Sequence, residues 1–342
     1  MPHPYLSKIA PFYLGNKALP KAILYAPLAG CSDFAFRQMS ARFRPGLMYC
    51  EMVKMEPLLR GNVATLRLLD YEASMRPIGA QLCGSNPSLA GQAARIVEQL
   101  GFDVVDFNCG CPVDKVTKDG SGSAMLKTPE RIGEAIAAMV AAVNIPVTVK
   151  IRAGWSDGQI NAPEIVSIAE AAGAAAIAVH GRTREQGYRG AANWDYIKEC
   201  KEAAKTIKVI GNGDLFSAAA VEKMFAHTSC DAVLISRGTM GQPWIVEDIE
   251  RLLRGEDAAV RDLDWCRSML LSHFQRIVAY EEERRALLHM RRIGCWYFKN
   301  AAKVREFRQK ISTAQKLREV EELITDFRSE PVAEPFFENT YM

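Results

Sequence analysis

The stretch DFNCGCP, residues 106–112, closes an apolar run containing Val104 and Val105 with a carboxamide, a glycine turn and a thiol set against a proline. Asn108 and Cys111 are thereby aimed into one small space at the end of a strand, an arrangement that suits an active site and that a core cysteine would not need. Cys109 alternates to the opposite side of the same strand and reads as structural.

Other reactive side chains follow apolar runs in the same way. They are Pro27, Leu28, Ala29 and Gly30, then Glu51, Gln81, Lys150 with Arg152, His180 with Arg182 and Arg184, Asn212 with Gly213 and Asp214, and Ser236 with Arg237 and Gly238. A lone polar residue at a strand end is usually a satisfied structural group, but so many in coincident positions must converge on something. The glycines of GNGD and SRGTMGQPW let backbone N–H groups approach phosphate oxygens, and Arg237 adds a charge-assisted grip. A phosphate monoester ligand is expected, and flavin mononucleotide and a phosphosugar both qualify. Lys150 would hold the anionic edge of a reduced flavin in the first case. In the second it would be a Schiff-base nucleophile, its pKa lowered with help from Arg152.

Those side chains need a frame that brings strand ends together. Strand-like apolar runs occur at 23–26, 47–50, 78–82, 104–107, 147–151, 176–179, 208–210 and 232–235. Between them lie amphipathic stretches, among them 87–99, 129–143, 163–172, 218–225 and 245–253. Strand and helix alternate eight times, and the strands lack a polar face. This predicts an α/β fold, a closed parallel (β/α)8 TIM barrel with its chemistry at the C-terminal ends of the strands. No GxGxxG follows the first strand to favour an open doubly wound sheet. The 342 residues exceed one barrel, so residues 1–245 are expected to form it, 246–328 a small all-helical domain and 329–342 a flexible tail.

Composition narrows the class. With 49% hydrophobic and 24% charged residues the chain reads as a globular protein, and it has neither a membrane-length apolar run nor a leader-like start. Its nine cysteines lack the paired spacing of a disulfide framework or a zinc knuckle, so a cytoplasmic setting with reduced thiols and no metal is expected. Nothing demands a partner subunit, and a monomer is expected. A net charge of +3 is too mild to announce a polyanion. Residues 284–318, however, carry eleven Lys or Arg against the single acid Glu306, with His289, Trp296, Tyr297, Phe298 and Phe307 interleaved. That mixture suits RNA, where cations meet phosphates and rings stack on bases, and it equally suits a helical bundle with a basic face and an aromatic core.

Taken in order, APLAGCSD, QLCGSNP, DFNCGCP, VTVKIRAGW, VHGRTREQGY, IGNGD and SRGTMGQPW resemble the tRNA-dihydrouridine synthases, nearest to the bacterial B and C types. The resemblance is continuous from Tyr25 to Trp244 and looser beyond, where it is to the family's tRNA-contacting helical domain. It implies an FMN-dependent oxidoreductase that uses NADPH to reduce a specific uridine of tRNA to 5,6-dihydrouridine. On that basis Pro27, Leu28 and Ala29 would line the flavin, and Gln81 and Lys150 would hold its ring edge with His180 nearby. Asn212, Gly213, Asp214, Ser236, Arg237 and Gly238 would surround its ribityl and phosphate end. Cys111 matches the catalytic cysteine and Asn108 the amide beside the uracil, while Arg152, Arg182 and Arg184 would meet the flipped nucleotide. Leu28 stands where APMAG-type starts carry methionine, a volume-conserving difference. Residues 115–126 correspond to a segment that closes over the substrate.

The chemistry agrees with these roles. Saturating the uracil double bond takes a hydride at C6 and a proton at C5, and a thiol stays mostly protonated near neutral pH, so Cys111 fits as general acid. Two other readings remain: an FMN barrel acting on a free pyrimidine or an enoate, and a non-catalytic RNA-binding protein that keeps the barrel as a scaffold.

Overall fold

The computed structural model describes residues 3–299 and 301–328; the expected tail, 329–342, lies outside them. Eight parallel strands form the barrel: β1 (Ile23–Tyr25), β2 (Leu47–Tyr49), β3 (Ile78–Cys83), β4 (Val104–Cys109), β5 (Val147–Arg152), β6 (Ala176–His180), β7 (Lys208–Asn212) and β8 (Ala232–Ile235). Each pairs with the next, and β8 returns to β1 through Val233 opposite Ile23, so no edge is left open. A two-residue strand, Val53–Lys54, extends the pairing along the far end of β3.

Strand alternation explains both the closure and the site. Val105, Phe107, Cys109, Val149, Ile151, Ile177, Val179, Val209 and Val233 face outward and pack with the surrounding helices. The inward residues change character along the barrel. At the bottom Leu24, Leu47, Tyr49, Val104, Ala176, Ala178, Ile210 and Leu234 pack around Leu14 and Leu19, which an N-terminal hairpin (Phe12–Leu14 with Lys17–Leu19) inserts as a plug. Burying each such leucine contributes roughly 1.5–3 kcal/mol. Gly79 is bare because a side chain there would meet the Tyr49 ring at 2.5 Å. Farther up, the inward positions become Gln81, Asp106, Asn108, Thr148, Lys150, His180 and Asn212, so the apolar floor gives way to a polar upper layer.

Helix starts follow their sequence signals. Pro87–Gln99 has Pro at its first position after Asn86, whose side chain accepts the Ser88 N–H, and Ser217 caps Ala218–Thr228 through the Ala220 N–H. The helix Ile245–Arg254 buries Ile245, Val246, Ile249 and Leu253 in the barrel core. It thus packs as part of the barrel's outer layer.

Beyond it, Leu263–Tyr280, Glu283–Ile293, Val304–Thr313 and Leu317–Asp326 enclose a separate core. The aromatic residues of the basic segment belong to that core: Trp296, Tyr297, Phe298 and Phe307 are all buried, so they cannot stack on exposed bases. Of the eleven cations in residues 284–318, eight remain exposed: Arg284, Arg285, Arg292, Lys303, Arg305, Lys310, Lys316 and Arg318. This domain is seated on the barrel. Tyr280 stacks on Phe34 at 4.2 Å and donates to Asp70, Arg67 pairs with Glu281, and His289 lies 3.1 Å from Asp33.

Candidate active site

A cavity of about 440 Å³ opens at the C-terminal ends of the strands, within the roughly 300–1,000 Å³ usual for small-molecule sites. Its lining brings together Pro27, Leu28, Ala29, Gln81, Asn108, Cys111, Lys150, Arg152, His180, Asn212, Gly213, Asp214, Ser236, Arg237 and Gly238. Of the strand-end residues singled out from sequence, Gly30, Glu51, Arg182 and Arg184 lie outside that lining.

The Cys111 wall is built from backbone held by one amide. Asn108 Oδ1 accepts the N–H groups of Gly110 (3.2 Å) and Cys111 (3.0 Å), which bends the chain at the end of β4 and leaves Cys111 half-buried at the cavity. Ser123 donates twice, by N–H and Oγ, to the Cys111 carbonyl. Behind this wall a buried chain runs inward. Asn108 Nδ2 donates to Gln81 Oε1 (2.7 Å), Gln81 Nε2 donates to Asp106 Oδ2 (2.7 Å), and Thr148 Oγ1 donates to Asp106 Oδ1 (2.6 Å). Burial pushes the Asp106 carboxyl up to about 6, against the bonds from Thr148 and Gln81 that favour its charged form. Cys109, fully buried on the outer face, has its thiol pushed well up by desolvation.

The opposite wall is cationic. Among the described residues Lys150 Nζ has no hydrogen-bond partner; desolvation first, then Arg152, pull its pKa down to about 8, while Asp106 opposes the fall. Arg152 is buried, and its Nε donates to Gly110 O (2.9 Å) while Nη1 donates to the carbonyls of Thr183 and Gly187. It thus ties the turn beside Cys111 to the loop after β6. Burial and the surrounding Arg152, Lys150, Arg182 and Arg237 charges hold His180 well below the ordinary imidazole range, so it is neutral near pH 7.

The loops after β7 and β8 form a close-fitting cradle. A Cβ on Gly238 would lie 1.9 Å from Leu215 O, and Gly213, at φ +125°, would meet Ala192 Cβ at 2.7 Å. Asn212 Nδ2 donates to Leu234 O and Ser236 Oγ, tying β7 to β8. Asp214 accepts from the Ala192 N–H and from Arg237.

Arg182 differs from expectation. It is 2% exposed, grips Asp214 through both Nη atoms (2.9 and 2.8 Å) and donates to Gly190 O, so its guanidinium is engaged inside the protein, behind the cavity lining. Arg184 pairs with Asp114 and lies over Trp155 at 4.7 Å. Sequence reasoning passed over Tyr188 and Phe216, which flank Arg237 at 4.4 and 5.3 Å from its guanidinium. Each sits in a quoted stretch or beside one, VHGRTREQGY and IGNGD, and an aromatic next to strand-mouth arginines was the available signal. The C-terminal domain also reaches the rim, where Arg292 Nη1 would lie 3.3 Å from a Cβ on Gly30.

Among solved structures the chain is similar to histamine dehydrogenase from Rhizobium sp. 4-9, with a TM-score of 0.58 and 13% identity, covering 80% of this chain and 51% of that one. At that identity the likeness speaks to the barrel fold alone. Among curated proteins it is 35% identical over 318 residues to a probable tRNA-dihydrouridine synthase of Rickettsia bellii, covering 92% of this chain and 97% of that one. It is likewise 35% identical to tRNA-dihydrouridine synthase B of Pseudomonas aeruginosa, covering 88% of this chain and 91% of that one. Residues 24–331 match the dihydrouridine synthase (Dus) family as a whole, and the chain belongs to that family.

Proposed function

We propose that the protein is a cytoplasmic tRNA-dihydrouridine synthase that binds FMN in the barrel mouth, takes its reducing equivalents from NADPH and uses Cys111 as proton donor. The observation that carries this reading is a shared cavity. Cys111 stands on one wall, Lys150, with no hydrogen-bond partner among the described residues, on another, and a glycine-made cradle with Arg237 on the third. This donor set fits a phosphorylated flavin: the Gly213 and Gly238 backbone can approach a phosphate closely, Arg237 can neutralise it, and Lys150 can face the carbonyl edge of the ring. When bound and reduced, the flavin supplies hydride to C6 of the uracil.

The chain's own residues do the rest. Asn108 holds the Cys111 turn through its backbone N–H, and in this reading the Cys111 Sγ–H gives its proton to C5 as the negative charge there is discharged. Arg152 braces the same turn from below, and neutral His180 adds a polar wall without further positive charge. Extruding a base from folded tRNA costs a few kcal/mol, and the exposed cations of the C-terminal domain, with Arg292 at the rim, supply compensating phosphate contacts.

The test is incubation of unmodified tRNA with the purified protein and NADPH, followed by mapping of any mass gain of two hydrogens to a nucleotide. The wild type should show it and Cys111→Ala should lose roughly two to four orders of magnitude in rate. Full turnover by Cys111→Ala would remove the thiol from the mechanism, and a colourless protein that never gains activity with added FMN would remove the flavin.

A further inference from the structure

We infer that Asp106, which does not line the cavity, is a positioning residue that sets the direction of the hydrogen-bond chain ending on the Cys111 backbone. The inference rests on the proposed function and deepens it. A primary amide fits its neighbours either way round, with oxygen and nitrogen exchanged, so a chain of two amides has no direction of its own. Here both ends are one-sided. The N–H groups of Gly110 and Cys111 only donate, so they require Asn108 to present Oδ1. At the other end an ionised carboxylate only accepts, so Asp106 requires Gln81 to present Nε2.

Between those ends Asn108 Nδ2 meets Gln81 Oε1 at 2.7 Å, and every donor faces an acceptor. Thr148 occupies the remaining carboxylate oxygen at 2.6 Å and keeps Asp106 from turning. Gln81 and Asp106 are 1% and 4% exposed, so water is not at hand to repair a reversed amide. With Asp106 removed, Gln81 is free to reverse, nitrogen then meets nitrogen at Asn108, and the turn that carries Cys111 loosens. Asparagine at this position can still accept from Gln81, because the Thr148 hydroxyl can turn round and accept the new N–H. It is therefore the conservative variant.

The experiment compares Asp106→Ala and Asp106→Asn in FMN-loaded protein. The readouts are kcat and KM on unmodified tRNA, flavin absorbance, and the rate at which iodoacetamide alkylates Cys111, followed by mass spectrometry. The alanine variant should lose roughly tenfold or more in kcat with KM for tRNA and flavin content nearly unchanged, and its Cys111 should alkylate about threefold faster or more. Asparagine should recover most of both losses. Wild-type kcat and alkylation in the alanine variant would overturn the inference, as would an asparagine variant that fails as badly while holding its flavin. If the alanine variant does not fold, Thr148→Val replaces it, and a folded protein with the wild-type alkylation rate overturns the inference. The alkylation readout stands even if tRNA proves not to be the substrate, so the two failures are distinguishable.

Discussion

Asp114 and Arg184 face each other across the barrel mouth at 2.5 Å, so the segment that follows Cys111 is tied to the loop after β6. A second pair, Lys54 with Asp119 at 2.6 Å, ties the same segment to the short strand beside β3. Between the two anchors runs the short helix Asp114–Thr117, and the turn at Gly120 follows the second. The stretch is held at both ends by side chains rather than by core packing, since only Val116 of that helix is buried.

Exposed ion pairs of this kind contribute about 0–1 kcal/mol to global stability, so their work is local. Arg184→Ala and Lys54→Ala should each leave the melting temperature nearly unchanged while speeding amide hydrogen exchange in residues 114–121, with the double variant fastest. Exchange as slow in the double variant as in the wild type would show that the pairs do not hold the segment.

The cradle after β8 yields a steric prediction. Gly238→Ala places a Cβ 1.9 Å from Leu215 O and 2.9 Å from Ile235 Cγ2, contacts with backbone and core that cannot swing aside. The variant should lose about 1–3 kcal/mol of stability and most of its flavin, read by thermal melting and by visible absorbance. Gly158→Ala, with nothing within 4 Å of its Cβ, should keep both and serves as the control.

Buried Asp106 should also show itself in stability against pH. Its folded-state pKa, about 6, lies above the ordinary 3.8, so the folded protein holds the proton more tightly than the unfolded chain does. The stabilisation from this group is thus complete below the unfolded value and is lost as pH rises through about 6, a change on the order of 3 kcal/mol. Asp106→Asn cannot titrate there. Its melting temperature relative to the wild type should rise across that window and level off above it, and a constant difference would count against a buried, ionising Asp106.

Most of the architecture was legible because barrel strands leave a double signature, apolar along the run and polar at the C-terminal end. All eight runs became strands, and β4 and β7 simply extended by two residues into their own polar ends, Asn108 to Cys109 and Gly211 to Asn212. What stayed illegible has one cause: sequence shows that a side chain is charged or aromatic, but not what lies opposite it. Arg182 reads as a rim cation until Asp214, 32 positions away, takes both of its Nη atoms. Trp296 and Phe307 read equally as base-stacking rings or as core until the helices close over them. Gln81 reads from sequence as a strand-end polar group and does line the cavity, whereas its place between Asn108 and Asp106 depends on the β3–β4 register, which sets Gln81 opposite Asp106.

Lys150 carries the last prediction. Burial is the largest influence on it, followed by repulsion from Arg152, and together they bring its pKa from 10.5 down to about 8 despite the attraction of Asp106. If the ammonium is the working form, facing the carbonyl edge of the flavin, turnover must fall as pH rises through about 8, because the neutral amine loses both charge and a donor. Arginine keeps its charge far above that range. Lys150→Arg should be slower throughout, since a planar guanidinium does not place its donors where a compact ammonium does, yet its alkaline limb in kcat/KM should move upward or vanish. A limb that stays at the wild-type pH in Lys150→Arg would assign the titration to another group and would leave Lys150 with a purely spatial part in the site.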